Sequence, residues 1–144
     1  MSAEGWAGER VLLACTGGVA GLRPQLEECR AAWPNARLTL LVPASGRGDV
    51  PGWAADVLAP VSFWTPDVLD ALRAGRFAAA VLLTAPGDSP HGLGYLCALA
   101  GIPWTAGVSA EFGGQTLTHW VRPGGAAPAP TLLAELLSPR EEPK

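Results

Sequence analysis

The sequence has little positive charge and almost no lysine. Nine of its ten basic residues are arginine, and its single lysine is the last residue, Lys144. The arginines are scattered along the chain, and the formal net charge is −3. A nucleic-acid-binding domain concentrates its basic residues on one surface, so this composition argues against nucleic acid as a partner.

Histidine and cysteine are also scarce. The two histidines, His91 and His119, are far apart, and the three cysteines (Cys15, Cys29 and Cys97) show no CxxC spacing. Structural zinc sites need four such ligands at short, regular spacings. We therefore expect no metal and no cofactor, and we interpret the cysteines as buried thiols in a reducing compartment.

Long hydrophobic runs are missing as well. The longest apolar run extends from Phe77 to Leu83, whereas a membrane-spanning helix needs about 20 apolar residues. The first residues, MSAEGWAGER, contain acidic side chains and lack the apolar core of a secretory signal. These features predict a cytoplasmic protein without a membrane span.

What the sequence does contain is a regular alternation of apolar runs and helical patterns. Of its 144 residues, 49% are hydrophobic, which supports a packed core. The apolar runs predict strands that are buried on both faces: 11–15, 38–42 and 78–84, with weaker ones at 57–59 and 104–107. Such strands, separated by helices, are typical of parallel sheets. We predict an α/β, Rossmann-like open parallel sheet with helices on both faces.

Three helices are predicted between these strands. The first ends before Pro34 and the second begins after Thr65 as its N-cap, with Leu69 and Leu72 facing inward and Gly75 at its end. The third follows Ser89-Pro90 and stops at Gly101. Residues 1–8 are predicted to be an extension and 9–122 the folded domain. Residues 123–144 are predicted to be a Pro/Gly-rich linker, a short TLLAELL helix and a disordered tail.

Two predicted loops carry candidate site residues, because ligands of open α/β sheets bind beyond the carboxyl ends of the strands. Gly17, Gly18 and Gly21 follow the first strand, without the GxGxxG spacing or the lysine of known phosphate loops. They either offer amide donors to an anion or form a tight turn. In the loop 84–91, Asp88, Ser89 and His91 either begin a helix or exchange protons with a bound hydroxyl.

Longer motifs resemble glycosyltransferase family 9, the heptosyltransferase-like enzymes. The segments YLCALAGIPWTAG (95–107) and VSAEFGGQTLTHWV (108–121) are similar to a bacterial subgroup with YLAGIP and EFGG motifs followed by an HWV strand. AAWPNARLTLLV (31–42) and ALRAGRFAAAVLL (71–83) match weaker landmarks, although Ala79 stands where the family has an aspartate. The resemblance covers about residues 9–122.

The resemblance implies one half of a GT-B architecture. In such enzymes a Rossmann-like N-terminal half holds the sugar acceptor, and a C-terminal half binds a nucleotide sugar, without a metal. The implied acceptor-binding residues here are Gly17, Gly18, Ser89, Glu111, Phe112, Gly113 and Gly114. Implied partners are a sugar or glycolipid acceptor and a separate nucleotide-sugar-binding subunit, or a second copy of the chain.

Two departures from the family weaken the prediction of an enzyme. No donor-binding half follows Val121 in this sequence, and Gly17-Gly18 stands where the family has a Gly-Asp pair whose aspartate is the general base. Glycine cannot accept a proton. We therefore expect a shortened, degenerate domain that is non-catalytic alone, a pseudoenzyme that binds an acceptor or a protein partner.

The alternative is the acceptor half of an active, split or truncated transferase that uses a nucleotide-sugar donor. No catalytic residue is assigned firmly, and Asp88, His91 or Glu111 would then replace the missing base.

Trp53, Trp64 and Trp104 lie near predicted loops, where they would either stack on a sugar or pack in the ordinary way.

Overall fold

Six parallel strands form one sheet in the computed structural model, which describes residues 8–16, 19–83, 91–108 and 119–121. The strands are β1 (Arg10–Cys15), β2 (Arg37–Leu41), β3 (Asp56–Leu58), β4 (Ala79–Leu83), β5 (Trp104–Val108) and β6 (His119–Val121). Their order across the sheet is β3-β2-β1-β4-β5-β6, and every neighbouring pair is parallel. This is the Rossmann order, and the predicted fold class is confirmed.

The central strands are buried on both faces, as their continuous apolar sequences predict. Along β1, Val11, Leu13 and Cys15 belong to the core on one face of the sheet, whereas Leu12 and Ala14 belong to the core on the other. All five side chains are fully buried. β1 therefore separates two apolar layers, and each layer needs its own covering helices.

Three helices provide this cover. Helix α1 (Arg23–Ala32), entered through a 3₁₀ turn at Ala20–Leu22, packs on the first face, while α2 (Pro66–Gly75) and α3 (His91–Leu99) pack on the second. The prediction of helices on both faces is thus confirmed. A further 3₁₀ segment, Ala44–Asp49, follows β2.

Helix α2 is rotated relative to the prediction. Thr65 is its N-cap and Pro66 its first residue, as predicted, but the buried pair is Val68 and Leu72, and Leu69 is only half-buried. Residues four apart lie on one face of a helix, so the face through Leu72 also contains Val68. The N-cap contact is made by the backbone, because the amide of Val68 donates to the carbonyl of Thr65 at 3.1 Å.

The two helices on the second face end differently. Gly101 ends α3 with φ of 83°, and the amides of Ile102 and Gly101 donate to the carbonyls of Cys97 and Ala98, which is a Schellman motif. Helix α2 ends at Gly75, as predicted, but the residue with positive φ is the next one, Arg76 (51°). Gly75 provides space rather than a left-handed turn, because a Cβ there would lie 2.4 Å from the ring of Phe77.

Replacing Arg76 with glycine is expected to raise the free energy of unfolding by about 0.5–1 kcal/mol. A left-handed conformation strains any residue with a Cβ, and glycine removes this strain while adding entropy to the unfolded chain. Urea unfolding of the variant measures the change. Ala74→Gly, at an exposed position inside α2, is the control and should lower stability by about 1 kcal/mol. An equal loss in both variants would contradict the strain at Arg76.

Candidate functional site

The strand order creates a crevice between β1 and β4. The loop after β1 leads to α1 on one face of the sheet, while the loop after β4 leads to α3 on the other. At the fork, the amide of Thr16 donates to the carbonyl of Leu83 at 3.0 Å. In open α/β sheets, ligands bind at such a switch point, so this edge is the candidate site.

One wall of the crevice joins the segments that follow β1 and β2. Val19 is fully buried and packs on Gly46, where a Cβ would come within 2.6 Å of the Val19 Cγ2 atom. The guanidinium of Arg23, at the start of α1, donates to the carbonyl of Asp49 at 2.9 Å. Val19 and Arg23 therefore fix the start of α1 against the 3₁₀ segment after β2.

Trp53 belongs to this wall as a packing residue. Its indole N–H donates to the Glu27 carboxylate at 3.1 Å, and the guanidinium of Arg30 lies 6.0 Å from its ring centroid. Glu27 also lies 3.7 Å from Nε of Arg23. The indole nitrogen of Trp53 and part of its ring are therefore already in contact with protein groups, which favours packing over sugar stacking.

Trp104 also packs within the protein. Its ring lies 6.3 Å from that of Trp33 in an edge-to-face arrangement at 81°, a favourable geometry for aromatic pairs. Trp33 is buried and belongs to the core on the α1 face. The packing interpretation is therefore also favoured for Trp104.

Trp64 is the exception among the three tryptophans. It is 61% exposed, and it lies beside the start of α3, where a Cβ on Gly92 would be 3.2 Å from its ring. Its backbone N–H donates to the hydroxyl of Ser62 at 3.1 Å. An accessible indole thus stands on the α3 side of the candidate edge.

Most of the sequence-predicted site residues lie outside the described residues: Gly17, Gly18, Asp88, Ser89, Glu111, Phe112, Gly113 and Gly114. His91 is the first residue of α3. The segments that carry these residues follow β1, β4 and β5 in the sequence, and these strands are consecutive neighbours in the sheet. Because the strands are parallel, all three end at one edge, which supports grouping the residues that follow them in one site.

The thiol at this edge is buried and protonated. Burial raises the pKa of Cys15, the last residue of β1, to about 12. Burial raises the pKa of Cys29 further, with the nearby Cys15 and Glu28 adding to the shift. All three cysteines are free and buried, as predicted. Since a thiolate is the nucleophilic form of cysteine, Cys15 is unsuited to nucleophilic catalysis.

The glycine at position 46 is needed for packing at the site. We expect Gly46→Ala to lower the free energy of unfolding by about 1–3 kcal/mol, because the new methyl group overlaps Val19. Gly48→Ala is the matched control: a Cβ there meets nothing within 4 Å. Adding Val19→Ala to Gly46→Ala should restore part of the loss. Equal stability of the two single variants in urea would contradict the contact.

The sequence did not predict two contacts beside the candidate site, that of Val19 with Gly46 and that of Trp64 with Gly92. Both join residues far apart in the chain, and a lone glycine gives no sign of its partner.

Among the described residues there is no cluster of three or more possible metal-ligating side chains. No helix in the same residues is long and apolar enough to cross a bilayer.

Comparison with known proteins finds similarity in structure. No protein-family profile and no curated protein sequence matches the chain. The glycosyl transferase family 9 structure from Veillonella parvula DSM 2008 matches 92% of the chain with a TM-score of 0.67 and 15% identity. The ADP-heptose LPS heptosyltransferase II of E. coli matches 90% with a TM-score of 0.70 and 16% identity.

The chain spans about two fifths of these structures, 41% and 40% of their respective lengths. At this level of identity the match concerns the fold, and it agrees with the Rossmann strand order of the sheet. The chain therefore has the Rossmann-like fold of these family 9 glycosyltransferase structures, which confirms at the level of the fold the resemblance that the sequence motifs indicate.

Proposed function

We propose that this chain is a degenerate acceptor-side domain of the family 9 type, which binds a sugar acceptor or a protein partner and does not transfer sugar alone. The observation that carries the proposal is the extent of the structural match. About nine tenths of the chain matches only two fifths of two glycosyltransferase structures. The matched part is one Rossmann-like unit, which would form one wall of the two-domain cleft that the family resemblance implies.

The proposed acceptor site lies at the edge where β1, β4 and β5 end. The motif residues Glu111 to Gly114 follow β5, and Gly17 and Gly18 follow β1. Trp64 supports this location, because its exposed indole lies beside the start of α3 at the same edge. Sugar-sized ligands bind where an apolar surface meets a few convergent polar groups.

The absence of catalysis is proposed from the sequence of the first loop. Gly17 and Gly18 have no side chain that accepts a proton, and losing a general base costs about 10²–10⁴-fold in rate. Cys15, the last residue of β1, directly precedes these positions, and it holds its proton because burial raises its pKa to about 12. It therefore supplies no substitute base.

A second candidate is the acceptor half of an active transferase whose donor site belongs to another chain. One observation favours it: His91 begins α3 at the edge of the proposed site, and Asp88 precedes it by three residues in the sequence. In this alternative Asp88, His91 or Glu111 accepts the proton of the acceptor hydroxyl, and a nucleotide sugar binds only when the partner is present.

Purification of the tagged protein from its own organism distinguishes the two candidate functions. The native mass and the identity of any co-purifying chain are the readouts. A stable companion that binds ADP-heptose or another nucleotide sugar would support the split transferase. A monomer or self-dimer without transfer activity would support the non-catalytic domain.

Restoring the missing carboxylate tests the assignment of the loop. In the presence of such a companion, we expect Gly18→Asp to raise the rate of transfer by about 10²–10⁴-fold. Gly21→Asp, three residues later in the 3₁₀ turn that leads into α1 and with open space around its Cβ, should leave the rate unchanged. Equal rates in both variants would show that position 18 is not the position of the base.

Acceptor binding is tested on the chain alone. Isothermal titration with a core oligosaccharide of lipopolysaccharide should show binding that weakens about tenfold in Trp64→Ala. Trp53→Ala, whose indole is engaged by Glu27 and Arg30, is the control. No binding of the oligosaccharide would leave a protein partner as the ligand of this domain.

A further inference from the structure

The outer surface of α3 carries an apolar strip, formed by Tyr95 and Leu99. Tyr95 is 58% exposed and Leu99 45%, and the two are four residues apart on one face of the helix. Trp64, beside Gly92 at the start of the helix, lies outside this strip and belongs to the proposed acceptor site. Two of the four large apolar side chains that are exposed among the described residues therefore lie in the strip.

Helix α3 differs from the other two helices in having no charged residue on its surface. Its sequence, HGLGYLCAL, contains no Asp, Glu, Lys or Arg, whereas RPQLEECRAA (α1) and PDVLDALRAG (α2) contain both signs of charge. Its inner face, with Leu93, Leu96 and Cys97, is already buried against the sheet. A helix that is apolar on all sides is normally covered on all sides.

We infer that residues 131–137 of this same chain, TLLAELL, cover the strip as a short docked helix. These residues lie outside the described residues. Their four leucines, Leu132, Leu133, Leu136 and Leu137, recur at i, i+1, i+4 and i+5, which places them on one side of a helix. The segment thus offers an apolar face of about the length that the strip presents.

The chain has sufficient reach for this contact. Strand β6 ends at Val121, at the sheet edge where α3 begins, because the strands are parallel. The nine residues 122–130 can extend over about 30 Å, whereas α3 is only about 14 Å long. Two strand spacings, about 10 Å, separate β6 from β4.

The size of the strip favours a segment of the same chain over a second copy. Two partly exposed side chains offer much less than the roughly 800 Å² that each partner contributes to a standard interface. A tethered segment binds as an intramolecular ligand at high effective concentration, so a small contact suffices. At the Leu99 end, Arg73 donates to the Leu99 carbonyl at 3.3 Å and places a positive charge near the strip, which suits Glu135 in the docking segment.

Cross-linking of the full chain tests the contact. In Ala98→Cys/Leu133→Cys, one thiol is on an exposed position of α3 beside the strip and the other is in the docking segment. Under mild oxidation this pair should form an intramolecular disulfide at least tenfold faster than the control pair Ala31→Cys/Leu133→Cys. Ala31 is exposed on α1, on the opposite face of the sheet, and the three native thiols are buried.

Equal rates of intramolecular cross-linking in the two pairs would overturn the inference. Covalent dimers formed by the Ala98→Cys single variant would overturn it in favour of a second copy on the strip. A readout without engineered cysteines is amide hydrogen exchange across residues 92–99. This exchange should speed up about tenfold in Leu132→Ser/Leu136→Ser, and unchanged exchange would contradict the docking.

Discussion

Replacing Leu72 with alanine is expected to lower the free energy of unfolding by about 2–5 kcal/mol, the range for truncating a fully buried leucine. Leu72 is 0% exposed and belongs to the core between α2 and the sheet, together with Leu12, Leu41 and Leu82. Truncation removes the apolar contact and leaves a cavity between a helix and a rigid sheet. Because small domains are stable by only about 5–15 kcal/mol, this one change is a large part of the total.

Urea unfolding monitored by circular dichroism measures the loss. The control is Val61→Ala, since Val61 is 95% exposed and its truncation should cost less than about 0.5 kcal/mol. Leu69→Ala should fall between the two, because Leu69 is half-buried at the border of the same core. A loss for Leu69→Ala as large as that for Leu72→Ala would support the predicted inward face, which contains both leucines.

The pattern around α2 shows what a sequence can and cannot predict about this fold. The apolar runs of β1, β2 and β4 are continuous, and each is found within one or two residues of its predicted bounds. Their burial on both faces leaves no other arrangement for them than the middle of a parallel sheet. The inward face of α2 was predicted only in part, because Val68 and Leu69 lie four and three residues before Leu72 and both spacings fit one face of a helix.

Both predicted helix ends involve a glycine, but the two glycines have different roles. Gly101 has the positive φ that a glycine favours and lies two residues after Leu99, the last residue of α3. At α2 the glycine is needed for space next to Phe77, and Arg76 adopts the left-handed conformation instead. The sequence does not distinguish a glycine that provides space from one that provides a turn.

The candidate site was predictable as a set of loops. The order of strands and helices along the chain places the loops after β1, β4 and β5 at one edge, because parallel strands end on the same side. The fit of Val19 on Gly46 was not predictable, since it joins two loops that are 27 residues apart in the chain and depends on a distance of 2.6 Å. Tertiary packing of this kind leaves no periodic signal.

The second large effect concerns the three buried thiols, which should resist alkylation in the folded protein. Burial raises the pKa of Cys97 to about 12 from an ordinary value of 9.0, and that of Cys15 equally. At pH 8 the thiolate fraction is then about a thousandfold lower than in the unfolded chain. We expect reaction with iodoacetamide at pH 8 to be at least about a thousandfold slower in buffer than in guanidinium chloride, as measured by mass spectrometry.

The same shifts make stability depend on pH above about 9. Folded thiols keep their protons up to pH about 12, whereas unfolded thiols lose theirs above 9.0. The unfolded chain then binds fewer protons than the folded one, so the free energy of unfolding falls as pH rises. Each thiol contributes a slope of about −1.4 kcal/mol per pH unit between these values, and none below pH 9.

Cys97 allows one thiol to be tested alone, because burial is the whole cause of its shift and it lies on the opposite face of the sheet from Cys15 and Cys29. Cys97→Ala lowers stability at every pH by removing packed atoms, so the slope is the informative quantity. Between pH 9.5 and 11 the variant should lose about 1.4 kcal/mol per pH unit less than the parent protein. Identical slopes would mean that the Cys97 thiol ionises in the folded state, which requires water to reach the core between α3 and the sheet.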